Sequence, residues 1–168
     1  WNEYSSPRAL YALQKAGLLT KVATKEFSFL INGELKDFGT GTILIPANNQ
    51  RLDETQIFNL AERITKETGV DFYGLSTGLS PKGIDLGSSY FVTINQPKIL
   101  MFVGGSTSSA SAGEIWHLFD QRYEIPVTLT ETGNLSSIEL SKYNTIILPG
   151  GAYREWSNND VQKLKNWA

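Results

Sequence analysis

Two five-residue runs, Thr42-Ile43-Leu44-Ile45-Pro46 and Thr145-Ile146-Ile147-Leu148-Pro149, are near copies of one another, 103 positions apart. Each is short and continuously apolar, the pattern of a strand buried on both faces of a parallel sheet. Each leads through a polar loop into a segment with helix-capping residues. Upstream, Leu10, Leu13, Val22 and Glu26 line up with Ile115, Leu118, Val127 and Glu131 at a constant offset of 105. The order helix, β-branched strand, loop, apolar strand, loop, helix therefore occurs twice. Strands alternating with helices predict an α/β fold with a mostly parallel sheet, helices on both faces, built from two similar halves. The halves are expected at 1–96, with the connecting segment, and at 97–168.

Local signals fill in that frame. Ser6-Pro7 reads as an N-cap with Pro at the first helical position, and Gly17 closes that helix. Lys21–Phe29 reads as a strand. Asn32-Gly33 is a hairpin turn signal. Asp53 and Gln56 form a capping-box pair, with Leu52 and Ile57 at the staple positions. Ile57, Leu60, Ala61 and Ile64 then share one helical face, and Gly69 ends it. Val70–Leu75 is the next expected strand, and Tyr90–Ile94 a short one after a long Gly-, Ser- and Pro-rich connection. Lys98–Val103 is a further buried-strand pattern, followed by a helix with Ile115, Leu118, Phe119 and Arg122 on one face. Pro126–Glu131 reads as a strand. Ser157 caps the last helix, with Trp156 and Val161 as staple.

Composition removes several function classes. There is no Cys, hence no disulfide, thiolate nucleophile or thiolate metal site, and the single His excludes a multi-histidine zinc site. With 15 Lys+Arg against 17 Asp+Glu the chain lacks the basic excess of a nucleic-acid binder. No stretch approaches the ~18 apolar residues of a membrane span. Trp1 is not an initiator residue, and no signal peptide precedes it. The sequence also stops on a helix, so the chain is expected to be a piece of a larger protein.

Candidate chemistry is sparse. Gly104, Gly105, Ser106 and Thr107 connect a strand to a helix, where open α/β sheets bind ligands, and backbone N–H groups at a helix start favour an anion. The run is neither G-x-G-x-x-G nor a P-loop, and a flexible connection explains it equally well. Gly150-Gly151 follow a strand, where glycine permits close approach of a ligand, an oxyanion-hole amide, or simply a turn with positive φ. His117 lies about 160° around the helix from Ile115, on the polar side with Glu114 and Gln121, as a solvated residue would. Glu131 and Glu155 stand near strand ends without the paired spacing of an acid–base couple. Trp116, Trp156 and Trp167 read as core or helix-staple residues, with packing on a neighbouring domain as the alternative. No G-x-S-x-G elbow is present. No catalytic or metal-ligating residue is assigned.

The stretches P-K-I-L-M-F-V-G-G (97–105), A-G-E-I-W-H-L-F-D-Q-R-Y-E-I-P-V-T-L (112–129) and L-S-K-Y-N-T-I-I-L-P-G-G-A-Y (140–153) resemble class I glutamine-amidotransferase-like domains, a flavodoxin-like α/β group. In particular they are similar to the copy attached behind the catalytic domain of bacterial carboxypeptidase-A-like zinc carboxypeptidases. The upstream G-I-D-L-G-S (83–88) belongs to the same likeness. The resemblance implies a secreted or periplasmic parent that trims peptide C-termini with zinc, its peptidase domain preceding this chain as partner. That family's zinc ligands come as His-x-x-Glu and a distant His. This chain has no His-x-x-Glu, so zinc is expected only in the missing catalytic domain, and no cofactor is expected here. Gly150 and Gly151 match the glycine pair that helps form the oxyanion hole of true amidotransferases, whose nucleophilic Cys would fall beyond Ala168. The resemblance thus implies a non-catalytic accessory domain. The alternatives are an amidotransferase-like hydrolase with its nucleophile past residue 168, and a small-ligand module for a sugar or an anion.

Overall fold

A computed structural model describes residues 3–168; Trp1 and Asn2 lie outside the described residues. The chain divides into two compact units, Trp1–Gln96 and Pro97–Ala168.

In the first unit, helix α1 spans Ser6–Lys15. Ser5 occupies the capping position, one residue earlier than the sequence pattern places it, and makes no side-chain cap bond. Ser6 is instead buried, its hydroxyl donating to Glu3. The stretch expected as one strand over 21–29 breaks into β1 (Thr20–Ala23) and β2 (Phe27–Ile31). β2 turns back through Asn32 and Gly33, with φ of 52° and 87°, into β3 (Glu34–Phe38). Two consecutive positive φ values make the primed turn whose twist suits a hairpin. Ile43–Leu44 forms β4, a two-residue edge strand antiparallel to β1. Helix α2 (Glu54–Thr68) starts with the full capping box: Gln56 N–H donates to Asp53 Oδ1 at 2.8 Å, and Asp53 N–H to Gln56 Oε1 at 3.0 Å. Gly69 closes it at φ 72°. β5 (Lys82–Gly83) adds to β2, and β6 (Phe91–Ile94) pairs antiparallel with β1. Two three-stranded antiparallel sheets result, ordered β4-β1-β6 and β3-β2-β5. Ala9, Leu13, Leu18, Leu60 and Ile64 form one core cluster, with Leu52, Ile57, Val70 and Phe72 packed against it. Phe27 joins Ala23, Phe29 and Phe91 in a second, its ring stacked on Phe38 at 5.1 Å.

In the second unit, β7 (Ile99–Val103) is central. Helix α3 (Ser109–His117) packs on it and continues into a π-helical turn over Leu118–Arg122. β8 (Val127–Glu131) and β9 (Thr145–Ile147) flank β7, both parallel to it. Helix α4 (Asn158–Trp167) has its own capping box, between Ser157 and Asp160. Leu100, Phe102, Leu135 and Leu140 form the core, closed by Trp156, Leu164 and Trp167. Burying a side chain such as Leu100 or Phe102 contributes about 1.5–3 kcal/mol. Both indole N–H groups find carbonyls, Trp156 on Thr132 at 2.8 Å and Trp167 on Leu140 at 3.0 Å. Lys163 fastens α4 further by donating to the carbonyls of Leu135, Ser136 and Ile138. Trp116 differs from the core reading, at 38% exposed, and Val161 of the staple pair is 39% exposed.

The expected mostly parallel, flavodoxin-like sheet in two similar halves is overturned. Only the second unit has a parallel sheet; both sheets of the first are antiparallel. The reasons are local. The Asn32-Gly33 turn commits β2 and β3 to an antiparallel pair. Val70–Leu75, which a parallel crossover after α2 requires as its strand, forms none: Val70, Phe72 and Leu75 bury their side chains against the two clusters without joining a ladder. An apolar run reports burial and not strand direction. Thr42–Pro46 is only half-buried here, on an edge. The matched segments do share element types, but β1 is the centre of its sheet whereas β8 is an edge of its own.

Candidate functional site

The candidate residues named from sequence collect in the second unit, where the carboxyl ends of its parallel strands come together. Gly104 and Gly105 follow β7, Thr132 follows β8, and Gly150 and Gly151 lie just past β9. This is the edge at which a parallel α/β sheet binds ligands. Here the two glycine-bearing loops are zipped to each other. Thr107 and Gly151 form an isolated antiparallel bridge, with Ser108 N–H donating to the Gly150 carbonyl at 2.6 Å and Ala152 N–H to the Ser106 carbonyl at 3.2 Å. Neither Gly150 nor Gly151 has a positive φ. Gly151 is small because another backbone lies against it: a Cβ there would stand 2.8 Å from both the Ser106 carbonyl oxygen and the Thr107 Cα. Close approach is thus its requirement, and the approaching group belongs to the chain itself.

Gly104 and Gly105 do turn with positive φ, 75° and 56°. Above Gly105 lies the side chain of Glu155. A Cβ on Gly105 would overlap the Glu155 carboxylate and stand 2.5 Å from Thr132 Oγ1. Ser106 Oγ donates to Glu155 Oε2 at 2.8 Å and accepts from Arg154 N–H at 3.2 Å. Hydrogen bonds from the Thr132 hydroxyl, from Glu155's own backbone and from Ser106 hold the Glu155 carboxyl down at about 2. Thr107 Oγ1 donates to the Gly104 carbonyl at 2.8 Å, and Ser108 Oγ caps α3 by accepting from Ser111 N–H. Tyr153, at φ 46°, donates its hydroxyl to the Pro149 carbonyl at 2.6 Å and lays its ring on Trp156, which in turn meets Phe102 edge-on at 5.3 Å. Burial, with the Glu155 charge behind it, pushes the Tyr153 phenol up.

The chemistry of this cluster is that of a closed knot. Donors that a strand-end loop would offer an anion, the Ser106 and Thr132 hydroxyls among them, are turned onto the exposed carboxylate of Glu155. A carboxylate held near 2 is a poor base for a serine proton and cannot act as an acid at neutral pH. His117 is exposed on α3, and Glu131 is exposed at the end of β8. Among the described residues no group of three or more His, Cys, Asp or Glu stands where it could hold a metal ion. No described helix is long and apolar enough to cross a membrane. Sequence reasoning missed Thr132, Tyr153 and Arg154. Thr132 was findable, since it follows β8 as Gly104 follows β7. Comparison with protein families, curated proteins and solved structures finds no match to this chain.

Proposed function

We propose that this chain is a non-catalytic accessory domain of an exported zinc carboxypeptidase, packed against the peptidase domain of the same polypeptide. The observation that supports a non-catalytic role is the closed cluster of Ser106, Thr132 and Glu155, in which the hydroxyls are spent on an ionised carboxylate. A nucleophile needs a base matched to its proton, and this arrangement supplies an acceptor far too weak for that. The peptidase parent, its zinc and its export come from the likeness of residues 83–88 and 97–153 alone. A sugar- or anion-binding module on Gly104–Thr107 is the less favoured reading, because a ligand there must first displace Glu155. The purified chain is therefore expected to release no C-terminal residue from peptides and no ammonia from glutamine, with or without added zinc. Zinc-dependent turnover that copurifies with the chain would overturn this. The encoding reading frame tests the parent: a His-x-x-Glu pair upstream of Trp1 supports it, and a frame without one sinks it.

A further inference from the structure

The first unit contains an open cavity of about 1130 Å³ between α1, α2, the β2–β3 hairpin and the 70–78 segment. Its floor is apolar. Ile57 and Ala61, on the α2 face that sequence periodicity assigns to the core, are only half-buried because they line it. Ile43, Leu44 and Ile45 line it too, and are half-buried for the same reason. On α2, Phe58 is 62% exposed and lines the cavity between Glu54 and Glu62, one helical turn to either side.

The charged lining is one-sided. Among the described residues Glu3, Asp37, Glu54, Glu62 and Asp71 contribute five carboxylates against the ammonium of Lys36, with Glu3 accepting from Ser6 and Asp37 from Ser28 within the chain. Lys36 Nζ is already placed over the Tyr73 ring, 4.7 Å from its centre. The whole chain is near balance, 15 bases to 17 acids, so this concentration of acid belongs to the cavity. Small-molecule sites run to roughly 300–1,000 Å³ and enclose their ligand. This one is larger and open, and a bare aromatic side chain between carboxylates suits an apolar side chain next to a cation.

We propose that this groove binds a polypeptide segment of apolar residues flanked by Lys or Arg. Apolar side chains fill the floor beside Phe58, and the flanking cations meet the acidic lining. The inference is independent of the parent enzyme and of the strand-end cluster.

The test titrates the 168-residue chain with a short synthetic peptide of alternating Leu and Phe with Lys at both ends. The same peptide with Glu ends, and a phenylalkylammonium salt, serve as controls. The Lys peptide is expected to bind, and to weaken by about tenfold from 0.01 M to about 0.15 M salt, as the Debye length shrinks from roughly 30 to 8 Å. Glu54→Gln with Glu62→Gln is expected to weaken it by about tenfold, removing two opposite charges. Phe58→Ala weakens the peptide at every salt concentration. Phe58 is exposed, so that variant keeps its fold, which circular dichroism checks. Equal binding of the Glu peptide, salt-independent binding, or no binding of either peptide overturns the proposal. So does tighter binding of the phenylalkylammonium salt, or self-association of the chain that Phe58→Ala abolishes.

Discussion

Adjacent glycines at 150 and 151 should respond oppositely to the same small change. A methyl group on Gly151 would lie 2.8 Å from the Ser106 carbonyl oxygen and from Thr107 Cα, both backbone atoms that cannot rotate away. On Gly150 its nearest neighbour is Ser111 Oγ at 3.6 Å, an ordinary contact. Forcing extra volume into a packed site costs about 1–3 kcal/mol. Gly151→Ala must therefore push the 104–107 turn away from 150–152 and pull Ser106 off Glu155. Gly150→Ala relieves nothing and clashes with nothing, and fewer unfolded conformations should stabilise it by roughly 0.4–1 kcal/mol. Urea unfolding followed by tryptophan fluorescence separates the two, because three of the four tryptophans, Trp116, Trp156 and Trp167, lie in the second unit and Trp156 abuts the loop junction. The Gly151→Ala midpoint should fall while the Gly150→Ala midpoint holds or rises. Equal losses, or the larger loss at Gly150, would refute the view that backbone contact with the 106–107 segment is what demands glycine.

Acid should loosen the same junction. Glu155 titrates near 2 when folded and near 4.5 when free, so its contribution is complete above 4.5 and is lost as pH falls through 2. Wild type should lose more stability between those limits than Glu155→Gln, read from urea midpoints across the pH series; parallel curves would contradict the assigned bonds. In the first unit, Asp53→Ala removes the capping box of α2 and should cost about 1 kcal/mol, with Asp53→Asn largely sparing it. Thermal unfolding by circular dichroism decides that one.

Two helix starts were legible from sequence because capping is written in nearby residues: Asp53 forms its box with Gln56 and Ser157 caps α4, whereas at α1 the cap is Ser5 and not Ser6. The central strand of the second unit was legible from its apolar run, since Leu100, Met101 and Phe102 of β7 are wholly enclosed, whereas Thr145–Pro149, read as equally buried, forms a partly exposed edge strand. Strand direction in the first unit was not legible. Thr42–Pro46 and Thr145–Pro149 carry nearly one sequence, yet one lies antiparallel on an edge and the other runs parallel, because pairing partners are chosen by segments far along the chain. The strand-end cluster was half legible. Its glycines and Ser106 stood out, but nothing local says that Glu155, 49 positions on, closes over them.

The β2–β3 hairpin and the parallel sheet set different demands on folding speed. In the first unit the β2–β3 ladder closes across Asn32 and Gly33, and Ile31 meets Glu34 almost as soon as both exist. Hairpins of this kind form in about 1–10 μs. In the second unit Ile99 must wait for Val127 and Thr145, since the middle strand of that sheet is also the earliest in the chain. Every rung there closes a long loop first, as the β1–β6 rungs of the first unit do, so these pairings are expected to form after the hairpin.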